Sequence, residues 1–156
     1  MRPAKRFIVA STLAALAAAS CATPSPHEHA AAATDARVLV RFPDELRRHT
    51  LANMRDHLAT LQQIEQALAR GEFDRASEIS ERRLGLSSLE LHGAHDVAQY
   101  MPPAMQDIGT GMHKAASRFS IAAANAGASG DVRNALEALS AVTTQCVACH
   151  AAYRLE

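Results

Sequence analysis

The sequence predicts an all-α fold, an up-and-down four-helix bundle, and three observations carry that expectation. Apolar residues recur three and four positions apart along four separate stretches, which is the helical period. Alanine, the strongest helix former, is the commonest residue. Proline, glycine and acidic residues fall at the ends of those stretches, where helices start and stop. The 156 residues, 48% hydrophobic and 21% charged, suit one modest domain. They exclude a wholly disordered chain, a collagen-like repeat and a polytopic membrane protein. With no Trp and only 4% aromatic residues, the expected core is thin, because alanine buries little area. A bound apolar group would help close it.

Pro43-Asp44-Glu45 opens the first helix, with its acids in the turn where the helix dipole favours them. Leu51, Met54, Leu58, Leu61, Ile64 and Leu68 then form one apolar stripe that ends near Arg70 and Gly71. Phe73, Ala76, Ile79 and Leu84 mark a second helix from about Glu72 to Leu84, with Gly85 as its stop. Residues 86–101 break the periodicity and carry His92, Gly93 and His95. Pro102 and Pro103 start the third helix, whose stripe is Ala104, Met105, Ile108, Met112, Ala115, Ala116, Phe119 and Ala123. Gly127 and Gly130 punctuate the next turn, and Asp131 is the expected N-cap of the fourth helix. That helix has the stripe Ala135, Leu136, Leu139, Val142, Cys146 and His150. Short to moderate connections of this kind suit helices that alternate up and down.

Ahead of the helices, residues 1–20 read as a secretory signal peptide: a basic start (Arg2, Lys5, Arg6), an apolar run from Phe7 to Ala19, and small residues before Cys21. Ala18-Ala19-Ser20-Cys21 resembles the bacterial lipobox, in which the cysteine becomes the lipidated first residue. Ordinary cleavage near Cys21 is the alternative. Residues 21–41 read as a flexible tether, and residues 42–156 as the helical domain. The expected location is the periplasm, with Cys21 as a membrane anchor if it is lipidated. Sixteen Lys and Arg balance sixteen Asp and Glu. Loss of Arg2, Lys5 and Arg6 leaves a mildly acidic chain whose one lysine is Lys114. No basic stripe is left to neutralise phosphates, so nucleic acid is excluded as a partner.

Two of the three cysteines lie in Cys146-Val147-Ala148-Cys149-His150, the attachment sequence of a c-type haem. On a helix, residues three and four apart share a face. Both thiols can therefore reach the two vinyl groups of one porphyrin, while the His150 imidazole reaches the iron. A thioredoxin-like redox pair would need a βαβ context, and a structural zinc site would need a second pair of ligands. Haem attachment uses Cys146 and Cys149, and Cys21 is left for the lipobox, so the count closes without a disulfide. Small alanines on facing helices would leave room for the porphyrin.

With its haem motif in the last of four helices, the chain resembles the class II c-type cytochromes, the cytochrome c′ family, over residues 42–156. The resemblance implies one covalent haem c on Cys146 and Cys149, with His150 as the proximal axial ligand. It implies that Arg154, four positions after His150, lies near the proximal haem face. In the first helix Arg47, Leu51, Met54 and His57 resemble the family's pattern, which implies Arg47 at a haem propionate and Leu51 on the distal face. A register anchored on Arg70-Gly71 would instead bring Arg55 to that face. Met54 is a candidate sixth ligand, though methionine in an apolar stripe commonly fills core. His57 reads as a half-exposed helical histidine, and Met105 and Met112 as core.

The resemblance implies two roles, electron transfer with redox partner proteins and binding of diatomic gases such as NO or CO. It also implies homodimers in some members. An alternative from another class is a copper-handling lipoprotein using His92, His95, Met101 and His27-Glu28-His29. No catalytic nucleophile, general-base pair or phosphate loop marks the chain as an enzyme.

Overall fold

The computed structural model describes residues 35–156. The signal segment, Cys21 and His27-Glu28-His29 lie outside the described residues. Five helices and two very short strands follow in order: β1 (Val38–Val40), α1 (Asp44–Ala69), α2 (Phe73–Arg83), a 3-10 turn (Leu86–Ser88), α3 (Ala94–Ala98), α4 (Pro103–Ser129), α5 (Val132–Ala152) and β2 (Tyr153–Leu155). Among the described residues no helix is long and apolar enough to cross a membrane.

Local chemistry sets the helix ends. Asp44 and Glu45 stand in the first turn of α1, Arg82 and Arg83 in the last turn of α2, each on the side of the dipole that favours its charge. Pro103 occupies the first turn of α4, where its missing N–H is no loss. The Asp131 side chain accepts a hydrogen bond from the Arg133 backbone N–H at 3.1 Å and so caps α5. Asp131→Ala is expected to lower the stability of the fold by about 1 kcal/mol, read as a shift in the urea midpoint. An unchanged midpoint would contradict the cap.

Packing proceeds between chain neighbours: α1 on α2, α2 on α4, and α4 on α5. The last seam is close, since a Cβ placed on Gly111 would come 3.0 Å from Gln145 Oε1. No comparable seam joins α1 to α5. The main core draws on all four long helices, with Ile64, Ala67 and Leu68 of α1, Ala76 of α2, Met112, Ala116 and Phe119 of α4, and Ala135, Leu139 and Val142 of α5. Five of those ten side chains are alanines or valine, so the helices approach closely around little bulk. A second, smaller cluster joins Val40 and Phe42 to Val97 and Met105, with Cys149, Tyr153 and Leu155 against it.

Several details depart from the sequence expectations. The segment read as a tether over residues 21–41 ends in a strand, as β1 pairs in parallel with β2, Val38 opposite Tyr153 and Val40 opposite Leu155. Gly127 lies inside α4, which runs to Ser129 and stops at Gly130 in the left-handed conformation (φ 76°). Residues 86–101 hold the 3-10 turn and α3. In α1 the inward face is Thr50, His57, Thr60, Ile64, Ala67 and Leu68, whereas Leu58 is 70% exposed. Leu136, expected inside, is 52% exposed, and Ala104 is exposed as well. Met105 and Met112 are buried in the core as expected.

Candidate functional site

The C-terminal end of α5 carries Cys146, Cys149 and His150 on consecutive turns. Both thiols are free and half-buried. Cys146 lies against the main core and its thiol points to the Val142 carbonyl at 3.6 Å, while Cys149 lies against the small cluster. Burial pushes both thiols above the ordinary cysteine value, so they are neutral at pH 7. His150 is exposed, and its carbonyl accepts a hydrogen bond from Arg37 Nη1 at 3.4 Å. Val147, between the cysteines, is 67% exposed. Cys146, Cys149 and His150 thus share one edge of α5.

Arg154 does not continue that edge, because the chain turns extended at Tyr153 and Arg154 falls in β2. Its side chain is half-buried. Nε lies 3.5 Å from Asp35 Oδ2, close enough for an ion pair but without hydrogen-bond geometry, so it is left a buried donor with no partner. The Asp35 carboxyl is held down at about 2, first by its hydrogen bonds from Arg37 and only lastly by the charge of Arg154. On α1, Arg47 Nε and Thr50 Oγ1 are likewise buried without a hydrogen-bond partner. Buried polar atoms are nearly always satisfied by protein or water, so these three are open to a polar group beyond the chain. Arg47 also borders a groove of about 270 Å³ formed with Arg41, Phe42, Asp44 and Glu156.

Leu51 and Met54 are half-buried. Together with Leu58 they form an apolar line on α1. That line stands away from the face that meets α2, where Asp56 pairs with Arg83 and Asn53 donates to the His92 carbonyl. At 3.6 residues per turn, Leu51 and Asp56 are about 140° apart around the helix. The apolar line therefore flanks the side on which α1 lacks a helical neighbour. The residue types suit a flat apolar group with acidic substituents: free thiols on α5, an apolar line on α1, and Nε atoms of Arg47 and Arg154 without hydrogen-bond partners. A concavity of about 390 Å³ lies elsewhere, lined by Gly71, Phe73, Asp74, Ala124, Gly127 and Ala128, with no residue from the cysteine segment.

The expectation of a half-exposed His57 is overturned. It is buried and its Nε2 stands 3.3 Å from Nε2 of His92, itself buried. His113 of α4 completes a cluster of three imidazoles, its ring centre 5.3 Å from that of His92. His95 is exposed on α3 while His92 faces inward, so the copper pairing of those two is not formed. This buried trio was missed by the sequence reading. The one local signal is that His57 and His113 fall in register with Thr60, Ile64 and Ala116 on the inward faces of their helices.

Burial, then the neighbouring imidazoles, lowers His57 to about 4; burial, then His113, lowers His92 to about 4. Asp56 acts in the opposite direction on both, and Arg83 reinforces the fall. A folded pKa below the unfolded value of about 6.5 means that stability is complete above pH 6.5 and is lost as pH falls toward 4. In chelator-treated protein, urea unfolding is expected to show a loss of stability between pH 7 and pH 4, of which His57 contributes on the order of 3 kcal/mol, and the loss shrinks accordingly in His57→Gln. An equal loss in that variant would contradict the assignment.

No family model, no curated protein and no solved structure matches this chain.

Proposed function

We propose that this chain is an exported c-type cytochrome, an up-and-down four-helix bundle holding one covalent haem, resembling cytochrome c′. The observation that carries the reading is Cys146-Val147-Ala148-Cys149-His150 at the end of α5, with two free, half-buried thiols on one helical edge. The packing supports the bundle: α1 lies on α2, α2 on α4 and α4 on α5, and no comparable seam joins α1 to α5.

When bound, the haem supplies an iron that exchanges electrons and can accept a diatomic ligand. The chain does the rest. Cys146 and Cys149 would hold the group on α5 through thioethers, and His150 would offer an imidazole nitrogen to the iron. Arg47, whose Nε has no protein partner, would donate to a propionate, and Arg154 would add a positive charge on the His150 side. Leu51 would cover the face away from His150. Met54, three residues on, rises about 4.5 Å further along α1, so the two do not both reach one point. Electron exchange with partner proteins and binding of NO or CO are the two roles; distal occupancy decides between them.

The test is the absorption spectrum of the purified protein in its oxidised and reduced states. A c-type Soret and α-band pattern supports the proposal, and a protein with no visible absorption from a host that matures other c-type cytochromes would refute it. Location is tested separately. Cys21→Ser is expected to move the domain from the membrane fraction to the soluble periplasm; a wild type already soluble with an unmodified N-terminus means ordinary cleavage.

A further inference from the structure

Apart from the haem reading, one buried feature has no role in the proposal above: the imidazoles of His57 and His92. We infer that their two Nε2 atoms form a seat for a divalent transition-metal ion of the zinc and copper class, held between α1 and the loop before α3.

The Ser88 hydroxyl donates to the Gly85 carbonyl at 2.7 Å. Its one hydrogen is used there, so toward His92 Nδ1, 3.3 Å away, it accepts. His92 therefore carries its proton on Nδ1 and presents a bare lone pair at Nε2. That lone pair faces Nε2 of His57 at 3.3 Å. His57 donates across this separation when its proton is on Nε2 and offers a second lone pair when it is on Nδ1; the distance is the same as that from His92 Nδ1 to Ser88. It matches the edge of a tetrahedron whose metal–nitrogen arms are about 2.0–2.1 Å, an edge of about 3.3–3.4 Å.

His92 has the form that a metal-bound histidine needs, in which the second ring nitrogen donates to a fixed acceptor. For His92 that acceptor is Ser88, anchored in turn on Gly85. His113 packs beside the pair, its Nδ1 donating to the Leu84 carbonyl at 2.8 Å. Imidazole nitrogen suits zinc and copper. Among the described residues no group of three or more His, Cys, Asp or Glu side chains stands at metal-binding spacing, so the seat has two protein ligands and takes water or a small anion at its other positions. Both rings are buried, and the seat exists only in the folded chain. Binding there must therefore stabilise the fold by mass action, unlike binding to a tail histidine.

The test is thermal unfolding of the full protein, with its haem if matured, in rising Zn²⁺ after chelator treatment, with Cu²⁺ as a second probe. The expected result is a saturable rise in the unfolding midpoint that survives in His95→Gln and in His27→Ala with His29→Ala, and disappears in His57→Gln and His92→Gln. Ser88→Ala is expected to weaken Zn²⁺ binding about tenfold. Should the His57 or His92 variants not fold, zinc-edge X-ray absorption on the His27→Ala, His29→Ala, His95→Gln protein reads the seat directly, with two imidazole nitrogens at about 2.0–2.1 Å expected. No rise in the midpoint, or a rise retained without His57 and His92, overturns the inference, as does an absorption signal lacking the two imidazoles.

Discussion

Leu51→Ala is expected to speed CO binding to the reduced protein on the order of tenfold, equivalent to about 1.4 kcal/mol off the barrier. The reasoning begins with a carbon side chain that has no lone pair to offer. Leu51 is half-buried on α1 one turn after Arg47, whose Nε has no hydrogen-bond partner. If Leu51 covers the distal face, the ferric protein is high-spin with His150 as its one axial protein ligand, and an incoming gas must push the leucine aside. Met54→Leu should then leave the spectrum unchanged. The competing register makes Met54 the sixth ligand. It requires a low-spin ferric spectrum that Met54→Leu turns high-spin, and in that case electron transfer is the leading role.

The second large effect is on stability. Cys146→Ala with Cys149→Ala, recovered without the haem, is expected to be less stable than the matured protein by an amount on the order of 5 kcal/mol. Leu58 is 70% exposed and Leu51 and Met54 are half-buried. Covering each such side chain contributes roughly 1.5–3 kcal/mol when complete. The α1 to α5 side would remain open in the variant, and its two helices would be held by the other seams alone. Urea unfolding of both forms at one pH reads the difference. Equal midpoints would mean that the protein closes this side by itself and that the apolar line on α1 serves another purpose.

Helix positions were legible because the punctuation is local: Pro43 with Asp44 and Glu45, Pro103, Gly130 and Asp131 act within one turn of themselves. The inward face of α1 was less so. Counting leucines pointed to Leu51 and Leu58, yet Thr50, His57 and Thr60 are the residues turned inside. Thr60 donates its hydroxyl to the Asp56 carbonyl at 2.8 Å and His57 meets His92. A polar side chain whose partner is supplied locally or by the fold loses most of its penalty for burial. Apolar tallies do not record that. Strands of three residues have too few positions to show a period, and β1 finds β2 only after the chain has returned across the whole domain. The histidine trio is equally non-local, since His92 comes from a loop with no periodicity. At the candidate site, the cysteine and histidine spacing carried the chemistry in five consecutive residues, whereas Arg154 in a strand depended on where α5 stopped.

The central claim, a haem held by thioethers on Cys146 and Cys149, is tested most directly by the intact mass of the denatured protein. Non-covalent haem is lost on denaturation, and thioethers survive it. Protein expressed in a host proven to mature other c-type cytochromes should retain the mass of one haem after unfolding, and the Cys146→Ala, Cys149→Ala variant should not. Wild-type protein recovered from that host at the bare polypeptide mass would contradict the account.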